Sequence, residues 1–154
     1  MSGERPPHVL VIEAPYYREI AAGQLAGARR VLEAAGASVE VVQVAGAFEL
    51  PGAVRLALRA MARAGGPRWD GFVALGCVVR GETDHYEHIC RETARGLMDL
   101  SVQFGVPVGF GVLTVHDEAQ AEARSRDDGM NKGAEAAAAV LAQIALARRW
   151  GVWP

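Results

Sequence analysis

The residues Leu75-Gly76-Cys77-Val78-Val79-Arg80-Gly81-Glu82-Thr83-Asp84-His85-Tyr86-Glu87-His88 join a buried apolar run to a polar turn and then to the start of a helix. A strand-to-helix junction of this kind offers free peptide N–H groups and the positive end of a helix to an anion. His85 stands at the helix start, a side chain able to move protons near neutral pH. A helix N-terminus disfavours an imidazolium, so one reading is a neutral general base and the other an ordinary polar residue at a helix start. Gly81-Glu82-Thr83 has the composition of a backbone nest for phosphate. Glu82 and Asp84 would repel that phosphate with their side chains, so the nest reading requires peptide N–H groups to make the contact. The balancing cation then comes from elsewhere, with Arg80, Arg124 and Lys132 as candidates, arginine being able to grip phosphate through two N–H groups.

Other chemistry-bearing residues lie in two earlier loops. Tyr16 or Tyr17 has a ring that would stack on a flat heterocycle at a strand end, and Phe48-Glu49 would add an apolar wall and an acceptor for hydroxyl groups. The competing readings are core aromatics and a helix-start glutamate favoured by the dipole. His88 lies one turn after His85, and the pair together with Cys77 or Cys90 suggests a zinc site, but a third and fourth ligand at familiar spacing are missing. The two cysteines fall in an expected strand and an expected helix, where they read as small buried residues and reduced thiols rather than a disulfide.

The chain of 154 residues is 51% hydrophobic and 22% charged, with a formal net charge of -2. This is the composition of one folded domain with a real core. The absence of a basic excess speaks against a nucleic-acid partner. No uncharged apolar run reaches the roughly 18 residues that a membrane span needs. Residues 1–7 read as a flexible tail without the apolar centre of a signal peptide, and the rest, residues 8–154, as a single domain in a soluble cytoplasmic protein.

Strands and helices alternate. His8–Ile12 is a near-continuous apolar run, the pattern of a strand covered on both faces. A helix is expected over 18–35 with Gly36 ending it, a strand over 39–44, a helix from Pro51 to about Ala64, and a strand over 71–79. A helix from about Asp84 to Phe104 follows, stopped by Gly105, then a strand over 107–114. Asp117 and Gln120 resemble a capping pair for a short helix to about Arg124, and Asn131 is expected to cap a last helix over 132–149, leaving Trp150–Pro154 as a short tail. Alternation of this kind predicts right-handed βαβ units and a three-layer α/β/α sandwich of flavodoxin-like type, with a four-stranded parallel sheet in the order 2-1-3-4. Ligands of such sheets bind beyond the carboxyl ends of the strands, beside the switch point between the first and third strands. That rule selects the loops Glu13–Tyr17, Ala45–Glu49 and Arg80–His85.

Four segments, in order and at the right separations, resemble the lumazine synthase family: Gly46-Ala47-Phe48-Glu49-Leu50-Pro51, Gly76 to Tyr86, Val106 to Thr114, and Asn131-Lys132-Gly133. The resemblance spans about Val9 to Arg149. It implies a transferase of riboflavin biosynthesis that condenses 5-amino-6-(D-ribitylamino)uracil with 3,4-dihydroxy-2-butanone 4-phosphate, releasing phosphate and water, with no metal and no organic cofactor. By position, His85 matches the proton-transfer histidine and Tyr16 the aromatic that stacks on the pyrimidine. Ala47, Phe48 and Glu49 match the segment contacting the ribityl chain and ring, and Cys77, Val78 and Val79 a segment that binds the pyrimidine largely through backbone. Glu82 and Thr83 match the phosphate-binding turn, Arg124 the arginine reaching that phosphate, and Phe110 a wall residue. Lys132 adds possible positive charge. The resemblance further implies a homopentamer, in some members assembled into a hollow shell, with Arg124 and Phe110 supplied by the adjacent subunit. Ala14-Pro15-Tyr16-Tyr17 and Ser125–Met130 depart from the usual family loops, leaving Tyr17 as an alternative to Tyr16 and the higher assembly open. Two other readings are a metal-dependent hydrolase built on His85 and His88, and a non-catalytic relative that binds a flavin or lumazine.

Overall fold

The computed structural model describes residues 4–154. The part of the expected tail at residues 1–3 lies outside the described residues. Four strands, β1 (His8–Glu13), β2 (Ser38–Gln43), β3 (Gly71–Val79) and β4 (Val108–Val115), alternate with five helices. These are α1 (Arg18–Ala34), α2 (Leu50–Met61), α3 (His85–Phe104), α4 (Glu118–Ala123) and α5 (Lys132–Trp150). All strand pairs are parallel and the order is β2-β1-β3-β4, as the alternation predicts.

The apolar run of β1 is covered on both faces because successive side chains point to opposite sides of a pleated strand. Leu10 and Ile12 enter a core with Leu50 and Val54 of α2 and Leu97 and Leu100 of α3. Val9 and Val11 enter a second core with Ala28 and Leu32 of α1 and Val140 and Ile144 of α5. Two cores on opposite faces of one sheet make the three-layer sandwich. On β4 the close approach of α5 requires glycine, since a Cβ on Gly109 would stand 2.3 Å from the Ala136 carbonyl oxygen.

The punctuation residues act as expected. Gly36 and Gly105 adopt positive φ of 81° and 63° and end α1 and α3. Asp117 accepts from the Gln120 N–H at 2.9 Å, and Asn131 from the Ala134 N–H at 2.9 Å. Several boundaries differ, most of them by one residue. α2 stops at Met61 rather than near Ala64, because the chain tightens into turns, with Arg63 N–H bonding to Ala60 and Gly66 N–H to Arg63, to pass Gly65 at φ 70°. Ala47–Glu49 forms a 3-10 turn ahead of α2. α5 continues through Trp150, and the segment after it is anchored: Trp153 packs on the α2/α3 core and its Nε1 donates to the Asp70 carbonyl at 2.8 Å.

Asp70 gathers both ends of the chain at the amino edge of the sheet. Its carboxylate is fully buried and accepts from Arg5 at 2.8 Å and from the His8 N–H at 2.7 Å, with Arg148 at 3.5 Å. Burial alone would push this carboxyl up; the His8 N–H and the Arg5 and Arg148 guanidiniums outweigh it and hold the group below its ordinary value. A folded-state value below the unfolded one stabilises the fold above about pH 4 and loses that contribution as pH falls through the folded value. Asp70→Asn is therefore expected to lower stability at pH 7 by about 2–3 kcal/mol, with the gap to the parent narrowing below about pH 4. Urea unfolding midpoints at pH 7 and pH 3 check both parts.

Candidate active site

The carboxyl ends of β1, β2 and β3 place the three loops selected from the sequence along one edge of the sheet. β1 ends at Glu13, which is buried and accepts from Gln43 Nε2 at 2.9 Å, so the first two strands are tied together just below their loops. Beyond it the two tyrosines part. Tyr17 packs against Ile20, Leu113, Val115 and Ala121, while Tyr16 is 75% exposed, its ring centroid 4.9 Å from that of Tyr17 in an edge-on contact.

The second and third loops meet. Ala47, Phe48 and Glu49, together with Gly46, line a cavity of about 390 Å³ with His85 and Ile89 from α3. Ala47 is buried and fixes the 3-10 turn to the core, whereas Phe48 is 58% exposed toward the cavity side. Cys77, Val78 and Val79 close β3 as half-buried residues leading into this edge. The Cys77 thiol is pushed up to about 11 by burial and then by Glu118, so it stays protonated at neutral pH, which suits a packing role and not a nucleophile. Among the described residues no three His, Cys, Asp or Glu side chains gather at metal-binding spacing, so His85, His88, Cys77 and Cys90 do not combine into one cluster.

The turn from Gly81 to Asp84 is exposed throughout. Thr83 Oγ1 accepts from the His85 N–H at 3.4 Å, and the first closed helical bond runs from His88 N–H to the Asp84 carbonyl. The N–H groups of Tyr86 and Glu87 lie in the first turn, where a helix has no internal acceptor for them. Free N–H groups of this kind are what any helix start can offer to an anion. Arg80, the nearest candidate cation, is ion-paired with Glu87 and lies 5.4 Å above the Tyr86 ring.

The remaining candidates are elsewhere. Phe110, Arg124 and Lys132 line a different cavity, of about 490 Å³, together with Thr114, Gln120 and Glu135. Arg124 Nη1 donates to the Gln120 carbonyl at 3.0 Å, and Lys132 Nζ lies 3.1 Å from Glu135 and 6.0 Å from the Phe110 ring centroid. So the structure brings His85, Ala47, Phe48 and Glu49 together, and Phe110, Arg124 and Lys132 together, but sets the two groups around different hollows.

Two supporting residues escaped the sequence reading. Gln24 is fully buried on the apolar face of α1, and its Nε2 donates to the carbonyls of Gly76 at 3.1 Å and Gly111 at 2.8 Å, holding together the strands that carry Cys77 and Phe110. Its signal was its place in the 20/24/28 row, a polar residue between Ile20 and Ala28 on a stripe that packs inward. Asn131 does more than cap α5: its Nδ2 donates to the carbonyls of Gly23, Ser125 and Arg126. With the bond from the Lys132 N–H to the Arg124 carbonyl at 2.7 Å, this fixes the loop that presents Arg124 and Lys132.

No helix is long and apolar enough, among the described residues, to cross a membrane. Comparison with known proteins adds the family. The family model described as 6,7-dimethyl-8-ribityllumazine synthase matches residues 6–148. A 6,7-dimethyl-8-ribityllumazine synthase of Methylorubrum populi is 50% identical over 146 residues, covering 95% of this chain and 86% of the relative. The 6,7-dimethyl-8-ribityllumazine synthase 1 of Rhizobium meliloti is 46% identical over 151 residues, covering 98% of each. One from Paramagnetospirillum magneticum is 48% identical over 145 residues, covering 94% of this chain and 97% of the relative. With a match over nearly its whole length, the chain belongs to the 6,7-dimethyl-8-ribityllumazine synthase family.

Proposed function

We propose that this protein condenses 5-amino-6-(D-ribitylamino)uracil with 3,4-dihydroxy-2-butanone 4-phosphate to give 6,7-dimethyl-8-ribityllumazine in riboflavin biosynthesis, releasing phosphate and water. Family membership gives the reaction, and the observation that ties it to residues is the shared cavity of His85 with Ala47, Phe48 and Glu49 beside an anion-accepting helix start. An amine of the pyrimidine attacks the ketone, phosphate leaves by elimination, and the ring closes. Every step moves a proton, and His85 is the group at the cavity able to carry it at neutral pH. The half-buried run Cys77-Val78-Val79 offers peptide groups to the pyrimidine, and Glu49 an acceptor to the ribityl hydroxyls. Glu82 and Thr83 form the turn that receives the phosphate through peptide N–H groups. Beyond proton transfer, the rate gain comes from holding two substrates in reacting geometry. The chemistry needs neither a metal nor an organic cofactor.

The active unit in this reading is a homopentamer working in the cytoplasm, with each site shared between neighbours. Two facts support sharing. A departing phosphate needs a cation, and the one next to the turn, Arg80, is already paired with Glu87. Arg124, Phe110 and Lys132 line a hollow of their own, where the Arg124 guanidinium stands beside a Lys132–Glu135 pair. A second copy that apposes the two hollows supplies Arg124 to the phosphate and Phe110 as a wall.

Tyr16 is the stacking residue, because Tyr17 is committed to packing on β4 and α4 and Tyr16 is free. Tyr16→Ala should raise the KM for the pyrimidine about 10-fold while Tyr16→Phe stays close to the parent. Tyr17→Ala should instead cost about 1–2 kcal/mol of stability through lost packing. Steady-state kinetics and urea unfolding on the three variants separate the roles. The reaction itself is tested by incubating the purified protein with both substrates and following lumazine absorbance. Absence of product above the uncatalysed background would refute the assignment.

A further inference from the structure

We infer that Arg80 and Glu87 form a strap that positions the phosphate turn and His85, so that Arg80 serves the reaction through this pairing and not as a phosphate-binding cation. The inference rests on the activity proposed above. The turn Gly81–Asp84 is exposed and bonds little to itself: a Cβ on Gly81 would meet nothing within 4 Å, and the Thr83 hydroxyl reaches only the His85 N–H, at 3.4 Å. Its two ends must therefore be fixed from outside. The strand end is fixed by the Arg80 N–H, which donates to the Val115 carbonyl at 2.8 Å and so extends the β3–β4 ladder by one bond. The helix end is reached by the Arg80 side chain. Its Nη2 donates to Glu87 Oε1, and its guanidinium lies 5.4 Å above the ring of Tyr86.

This strap links the residue before the phosphate turn to the two residues that directly follow His85. Glu87 is well placed for it, since a carboxylate in the first helical turn also complements the positive helix end. If the strap opens, the first turn of α3 frays, and both the peptide N–H groups aimed at phosphate and the His85 imidazole lose their fixed direction. Arg80 and Glu87 are positioning residues in this account. The alternative is that Arg80 acts by charge on the phosphate, with Glu87 as a competitor for it.

The two accounts predict opposite signs for Glu87→Gln. Under the strap, Arg80→Met, Glu87→Gln and the double variant all raise the KM for the butanone phosphate by a similar factor, about 3- to 10-fold, with the pyrimidine KM changed less than about twofold. Under the charge account, Arg80→Met raises that KM, Glu87→Gln lowers it, and the effects add. Additive effects, or a KM unchanged or lowered in Glu87→Gln, would overturn the inference. A second measurement does not use turnover. Amide hydrogen exchange of the free protein at the start of α3, beginning with the His88 N–H, should be about 3- to 10-fold faster in all three variants alike. Unchanged exchange there overturns the strap even if the parent makes product, and faster exchange in the variants of a parent that makes none overturns the activity and leaves the strap standing.

Discussion

Replacement of His85 by alanine is expected to lower the single-turnover rate of lumazine formation about 10²-fold, at the lower end of what a general acid–base group contributes. The low end is expected because the other large contribution survives. The variant still holds both substrates at the strand edge, and effective concentration and orientation do not depend on an imidazole. His85 is also an exposed residue on the surface of the helix start, with no core to collapse when it is truncated. Assembly mass and unfolding midpoint should therefore match the parent. Two outcomes refute the role: an unchanged rate after subtraction of the uncatalysed condensation, or a loss explained by misfolding. The KM values offer a further separation. A proton carrier that contacts reacting atoms chiefly in the transition state affects kcat, while a residue that merely lines the cavity affects KM.

The position of His85 at a strand-to-helix junction was legible in the sequence for a physical reason. A parallel α/β sheet puts strand ends, turns and helix starts in register, so an apolar run followed by Gly81-Glu82-Thr83 and then His85 can adopt few other arrangements. The same logic fixed the sheet order from the alternation of runs and the glycine stops at Gly36 and Gly105. What was not legible depends on tertiary neighbours. The 20/24/28 row marks Gln24 as inward-facing, but its partners appear only when α1 packs on the sheet and buries it against the carbonyls of Gly76 and Gly111. Asp70 reads as a loop acid, and only the meeting of Arg5, Arg148 and the His8 N–H around it makes it an anchor. The anchoring of the short segment after the last helix was likewise not legible, because the role of Trp153 is set by a carbonyl far away in sequence. Which of the adjacent, chemically identical Tyr16 and Tyr17 packs inward is likewise not written in the sequence; it is Tyr17 that β4 and α4 engage.

The strongest effect is expected from mixing two crippled variants. In the proposed assignment Arg124→Ala removes a charge-assisted contact to the phosphate, which should raise the KM for the butanone phosphate about 10- to 10²-fold and leave the pyrimidine nearly unaffected. Below saturation this variant should keep about 1–10% of the parent rate and His85→Ala about 1%. Arg124 and His85 line different hollows of one chain, so a shared site takes His85 from one subunit and Arg124 from its neighbour. In a ring assembled at random from equal amounts of the two variants, about one interface in four then pairs an intact His85 with an intact Arg124. Co-expression with two different tags, and purification through both, should recover about a quarter of the parent activity, with parent KM values for both substrates. If both residues served a site within one chain, no mixed assembly would contain an intact site and activity would stay at the level of the single variants. The recovered KM also separates true restoration from mere stabilisation, because a stabilised Arg124→Ala site would keep its weak grip on the phosphate.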